Sequence, residues 1–122
     1  MTKRTVDNNE LREKCIALFS SKNILSNSNL NIDEYKKLFA IKSVNTLLTD
    51  EDLVKTATLF FENNLNISTA SKVGFMHRNT LIYRLDKIQK LIGLDIKNFN
   101  DAVVFENLLL LYNLINNHEE NK

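Results

Sequence analysis

The chain has 122 residues, 43% of them apolar, and a formal net charge of +1. That is enough apolar material for one compact domain and too little length for a sensor domain and an effector domain side by side. With no proline and 2 glycines, the turn residues of a strand-rich fold are missing, so an all-α fold is expected. A lone cysteine, Cys15, excludes an internal disulfide, and no apolar run reaches the ~20 residues of a membrane span or follows a basic leader. The expectation is a cytoplasmic protein with no membrane partner, and Cys15, among Leu11, Ala17 and Leu18, reads as a small buried apolar residue rather than a nucleophile.

In chain order, Leu11, Cys15, Leu18 and Phe19 recur at helical spacing and predict a short amphipathic helix over 9–20. The run SSKNILSNSNLN over 20–31 is rich in Ser and Asn, residues that bond their own backbone, and predicts a linker. Asn31 and Glu34 have the spacing of a capping box, followed by a stripe of Ile32, Tyr35, Leu38 and Phe39 to about Ile41. Lys42 to Leu48 is ambiguous. Thr49 to Asp52 supply a cap and an acidic first turn for a helix from Glu51 to Asn63 that buries Leu53, Ala57, Phe60 and Phe61 and stops at Asn63 and Asn64. Ser68 is expected to cap a very short helix from Thr69 to about Gly74. After a turn of Gly74, Phe75 and Met76, a longer helix starts at His77 or Arg78. It buries Leu81, Leu85, Ile88 and Ile92 and ends at Gly93 in a glycine cap closed by Leu94. A last helix from Asp101 to Asn116, capped by Asn100 with Phe99 as a staple, precedes a polar tail. The expected organisation is an N-terminal helical extension over 1–47, a helix-turn-helix domain over 48–116 and the tail over 117–122.

Charge is unevenly spread. Between Ser68 and Ile92 stand Lys72, Arg78, Arg84, Lys87 and Lys90 against Asp86, a local +4 that leaves −3 for the remainder. Positive potential confined to one segment suits a polyanionic partner, and a solvated lysine-rich face is the alternative. A small-residue short helix, a three-residue turn and a longer helix have the proportions of a DNA-binding helix-turn-helix. If Leu81, Leu85 and Ile88 point inward, Asn79, Tyr83, Asp86 and Lys90 point outward, with Arg78, Thr80, Ile82 and Lys87 on the flanks. Arg and Asn in the first turn are the side chains that pair bidentately with guanine and adenine in the major groove. Tyr83 can meet a phosphate or a thymine methyl, and Arg84 and Lys87 suit the DNA backbone, as do Ser68, Thr69 and Lys72. His77 reads as a helix cap or a phosphate contact, and Asp86 as a partner for Lys90 at i, i+4.

Residues 63–114, NNLNISTASKVGFMHRNTLIYRLDKIQKLIGLDIKNFNDAVVFENLLLLYNL, resemble the C-terminal helix-turn-helix domain of the PucR/CdaR group of bacterial regulators, itself similar to the Fis-type helix-turn-helix. The resemblance extends back to about Leu48. Its most specific part is HRNTLIYRL from His77 to Leu85, with Lys87, Ile88 and Gly93 to Asp95. It implies sequence-specific binding of double-stranded DNA through His77, Arg78, Asn79, Thr80, Tyr83 and Arg84. The chain departs from that pattern at Ser71 and Gly74, where Ala and Leu are expected, a change that would loosen the first helix. It departs again at Ile82, where a polar residue is frequent, and in its first 47 residues, which cannot be the large sensor of such regulators.

The alternative is a helical protein-interaction module that keeps the fold without binding an operator. The last helix carries Val103, Val104, Phe105, Leu108 to Tyr112, Leu114 and Ile115, more apolar surface than one core face needs. Either residues 9–41 cover it or it forms a homodimer interface. An enzyme is disfavoured, since no paired carboxylates, metal-ligand cluster, phosphate-cradling loop or nucleophile with a base is present, and His77 and His118 lack companion ligands. No cofactor is expected.

Overall fold

The structure, a computed structural model, describes residues 7–20 and 32–120. Among these, seven helices and no strand occur: α1 (Asn8–Phe19), α2 (Ile32–Phe39), α3 (Lys42–Leu48), α4 (Glu51–Glu62), α5 (Ile67–Val73), α6 (Arg78–Ile92) and α7 (Phe99–Glu120). The fold is all-α, as the scarcity of turn residues predicts. The linker expected over 20–31 and the Asn31 end of the capping box lie outside the described residues, apart from Ser20.

Local chemistry explains most helix ends. Asp7 caps α1, its carboxylate accepting from the Asn9 N–H at 2.7 Å. Asp50 caps α4 by accepting from the Leu53 N–H at 3.1 Å, and Glu51 and Asp52 complement the positive end of that helix. The ambiguous stretch from Lys42 forms α3, because Val44, Leu47 and Leu48 are all drawn into the core. At the end of α4 the left-handed conformation falls on Asn64 and also on Leu65, at φ 59° and 58°. The Leu65 N–H then reaches back to the Phe60 carbonyl at 2.9 Å, and the Leu65 side chain packs against the core.

Two expected caps, one staple and one ion pair are corrected. α5 begins at Ile67, and its cap is Asn66, whose side-chain oxygen accepts from the Thr69 N–H at 2.9 Å. Ser68 lies inside the first turn, because seating Ile67 against the core moves the helix start toward the N-terminus. α7 begins at Phe99. Asn98, not Asn100, caps it, accepting from the N–H groups of Asn100 and Asp101 at 2.9 and 3.3 Å. Phe99 is 70% exposed and staples nothing. Asp86 pairs with Lys97 at 3.3 Å instead of Lys90.

One apolar core draws on all seven helices. Phe19 of α1 meets Tyr35 and Phe39 of α2, Leu11, Cys15 and Leu38 are buried in the same core, and the four buried residues expected on α6 are all buried. Leu94 and Ile96, between α6 and α7, are buried with them. Phe19 lies 5.2 Å from Tyr35 and 6.1 Å from Phe39, ring centre to ring centre, and Phe39 meets Tyr112 edge-on at 5.3 Å. The N-terminal helices therefore cover much of α7. The Asn107 amide donates to the Phe19 carbonyl at 2.8 Å, and the Arg12 guanidinium pairs with Asp101. That same carboxylate accepts from the Asp95 N–H at 2.9 Å, tying α1, α7 and the intervening turn together.

Candidate nucleic-acid interface

Two helices and a tight turn build the site. α5 ends at Gly74, whose N–H bonds the Ala70 carbonyl at 2.9 Å; Phe75 N–H then reaches Lys72 and Met76 N–H reaches Ser71, at 3.2 and 2.9 Å. A side chain at Gly74 would collide with the Leu59 side chain of α4. The absence of the expected leucine is thus matched by Leu59 filling the space from the neighbouring helix. Ser71, at the other departure, is buried with its hydroxyl donating to the Ser68 carbonyl at 2.9 Å, so no buried polar group is left unsatisfied there. Both substitutions are accommodated within a formed α5.

His77 caps α6, its Nδ1 accepting from the Asn79 N–H at 3.1 Å. This fixes the backbone where the chain turns into the helix. Arg78 and Asn79 follow in the first turn, both exposed. Tyr83, 65% exposed, stands one turn beyond Asn79 on the same side, and Lys87 and Lys90 continue the exposed face. Thr80 and Ile82 are half-buried. On α5, Ser68, Thr69 and Lys72 are exposed. Within the segment 68–92, then, every basic residue except Arg84 stands exposed.

Arg84 is the exception. It is half-buried, and its guanidinium donates to the Thr56 hydroxyl of α4 at 3.2 Å. That hydroxyl itself donates to the Asp52 carbonyl at 2.7 Å. Helical angle turns Arg84 toward the buried edge marked by Leu81 and Ile88, and the Thr56 hydroxyl on α4 receives its guanidinium there. Spacing alone points Arg84 to the DNA backbone, because it cannot place Thr56, 28 positions earlier, beside it. Nor does helical periodicity single out Phe75, which is 98% exposed at φ 51°. The available signal was a large aromatic residue inside a three-residue turn.

A short helix, a tight turn and a longer helix with a polar, basic outer face make this a helix-turn-helix. Residues 53–111 match the family model of the PucR C-terminal helix-turn-helix domain. Relatives include the carbohydrate diacid regulator of Escherichia coli, 43% identical over 68 residues, which are 56% of this chain and 16% of that protein. The purine catabolism regulatory protein of Bacillus subtilis is 39% identical over 49 residues, 40% of this chain and 9% of the relative. The DNA-binding transcriptional activator AdeR of the same organism is 43% identical over 49 residues, 40% of this chain and 12% of the relative. The chain thus spans less than a fifth of the length of these relatives. No solved structure gives a significant match. No helix among the described residues is long and apolar enough to cross a membrane.

Proposed function

We propose that the protein is a transcriptional regulator that binds double-stranded DNA sequence-specifically by setting α6 into the major groove. The observation that carries this reading is the exposed first turn of α6, where Arg78 and Asn79 leave the helix on a backbone fixed by the His77 cap. Arginine and asparagine present paired hydrogen-bonding groups that match the edges of guanine and adenine. Tyr83 and Lys87 lie further along, facing a sugar-phosphate wall, and Ser68 and Lys72 of α5 face the other. Thr80 and His77 border the groove contacts. Arg84 serves the site indirectly, holding α6 against α4 through Thr56. The names of the relatives support the regulatory reading, AdeR being a DNA-binding transcriptional activator.

A single recognition helix touches only a few base pairs, so operator-level selectivity calls for a second copy. The homodimer reading is supported by Leu110 and Leu114, one turn apart on α7 and 57% and 65% exposed. Fluorescence anisotropy of the whole chain against its own upstream intergenic DNA and a scrambled duplex, at two salt concentrations, tests the function. Selective binding that weakens with salt is expected. Equal weak binding to both duplexes contradicts it and favours a protein-interaction module.

A further inference from the structure

Phe75 occupies the turn between α5 and α6 with its ring 98% exposed and its backbone at φ 51°. Each property is unfavourable by itself. An aromatic ring left in water forgoes the gain of burial, and the left-handed backbone suits glycine or asparagine far better than a bulky residue. Among the described residues nothing requires a phenylalanine here. The turn is closed by the backbone bonds of Phe75 to Lys72 and of Met76 to Ser71, at 3.2 and 2.9 Å, which any residue with an N–H could make.

What the ring gains must therefore lie outside the described residues. In the chain it stands between Lys72 and the exposed residues His77, Arg78 and Asn79, directly ahead of the first turn of α6. Cations on either side disfavour a second copy of this surface as the occupant, because like charges would meet, and they favour a polyanion. On a DNA duplex an uncharged ring has little to gain from a phosphate. The apolar group that the major groove offers on a base edge is the C5 methyl of thymine.

We propose that Phe75 is a specificity-determining DNA contact, its ring resting on the C5 methyl of one thymine at the edge of the bases met by Arg78 and Asn79. This rests on the major-groove reading above. Its test uses the full chain and the best-bound duplex that the chain itself selects from a random-sequence pool, with each thymine replaced in turn by deoxyuridine. The unmodified protein loses about fourfold in affinity at one position, the worth of one buried methyl group. Phe75→Asn, whose side chain tolerates the left-handed backbone, melts no lower than the parent. It binds the duplex about tenfold more weakly, keeps the same salt slope and ignores deoxyuridine at that position. Phe75→Leu keeps an apolar side chain and part of the methyl sensitivity. Undiminished affinity in Phe75→Asn overturns the proposal, and so does a deoxyuridine penalty that persists in that variant. A pool from which the unmodified protein selects no sequence overturns the groove reading itself, and this inference with it.

Discussion

Arg78 and Lys87 carry the same charge on the same helix, yet the proposed docking of α6 gives them different work. Arg78 stands in the first turn beside Asn79, and Lys87 lies more than two turns further along the exposed face. Arg78→Ala and Asn79→Ala are each expected to weaken binding to the selected sequence by about 1–3 kcal/mol while leaving thermal melts unchanged. Lys87→Ala should weaken binding to every sequence alike and lower the salt slope by about one. Competition titrations at several salt concentrations check both, and a sequence-selective effect of Lys87→Ala would contradict its assignment to the backbone. Cys15 offers a residue-scale check on the core. Burial pushes its thiol up to about 12, so the reactive thiolate is scarce at neutral pH and the side chain is enclosed. Thiol reagents at pH 8 should leave the folded chain unlabelled and label it rapidly in denaturant. Rapid labelling of the folded chain would show that α1 does not stay packed.

Among the elements, α6 was the most legible in the sequence and the caps were the least. Leu81, Leu85, Ile88 and Ile92 recur at a spacing that only a helix turns to one side, and Gly93 marks the stop; it adopts φ 79°. Its glycine is required twice over. The left-handed backbone disfavours a side chain, and a Cβ there would collide with the Asn8 carbonyl oxygen at the start of α1. Gly93→Ala is therefore expected to cost at least ~1–2 kcal/mol, measured as a lower denaturant midpoint with an unchanged slope. A neutral effect would mean that α1 does not approach the end of α6. The caps of α5 and α7 differ from expectation for a common reason. Asn66 and Ser68, or Asn98 and Asn100, both offer a side-chain acceptor near the helix start, and tertiary packing decides between them. Ile67 is held against the core and starts α5 early, whereas Phe99 is left in solvent and cannot staple the end of α7. Thr56 and Arg84 show the same limit in the site: their contact joins two helices, and periodicity within one helix carries no information about it.

Over the whole molecule, the N-terminal helices decide how much of the apolar surface of α7 remains for assembly. The sequence left two fates for that surface, coverage by residues 9–41 or contact with a second copy. α1 and α2 cover much of it, through the Asn107 bond to Phe19, the meeting of Phe39 with Tyr112 and the pairing of Arg12 with Asp101. Leu110 and Leu114 stay exposed, with Leu111 and Ile115 half-buried beside them. A two-fold pair joined along that strip would set two recognition helices ~34 Å apart, on successive turns of the major groove. Leu110→Glu and Leu114→Glu should each yield a folded monomer with poor operator affinity, because charge on that strip opposes contact between copies without disturbing the core. Sedimentation velocity measures this, and an unmodified chain that remains monomeric at high micromolar concentration would contradict the dimer.

If the first turn of α6 meets base edges from the major groove, methylation interference on the selected duplex must reveal it. Dimethyl sulfate places a methyl group on guanine N7 in the major groove and on adenine N3 in the minor groove, so one reagent samples both faces of the same site. Methylation of one or two guanines per half-site is expected to abolish binding, and this interference should weaken in Arg78→Ala. Interference confined to adenine N3, or guanine N7 interference unaltered by Arg78→Ala, would contradict the major-groove contact.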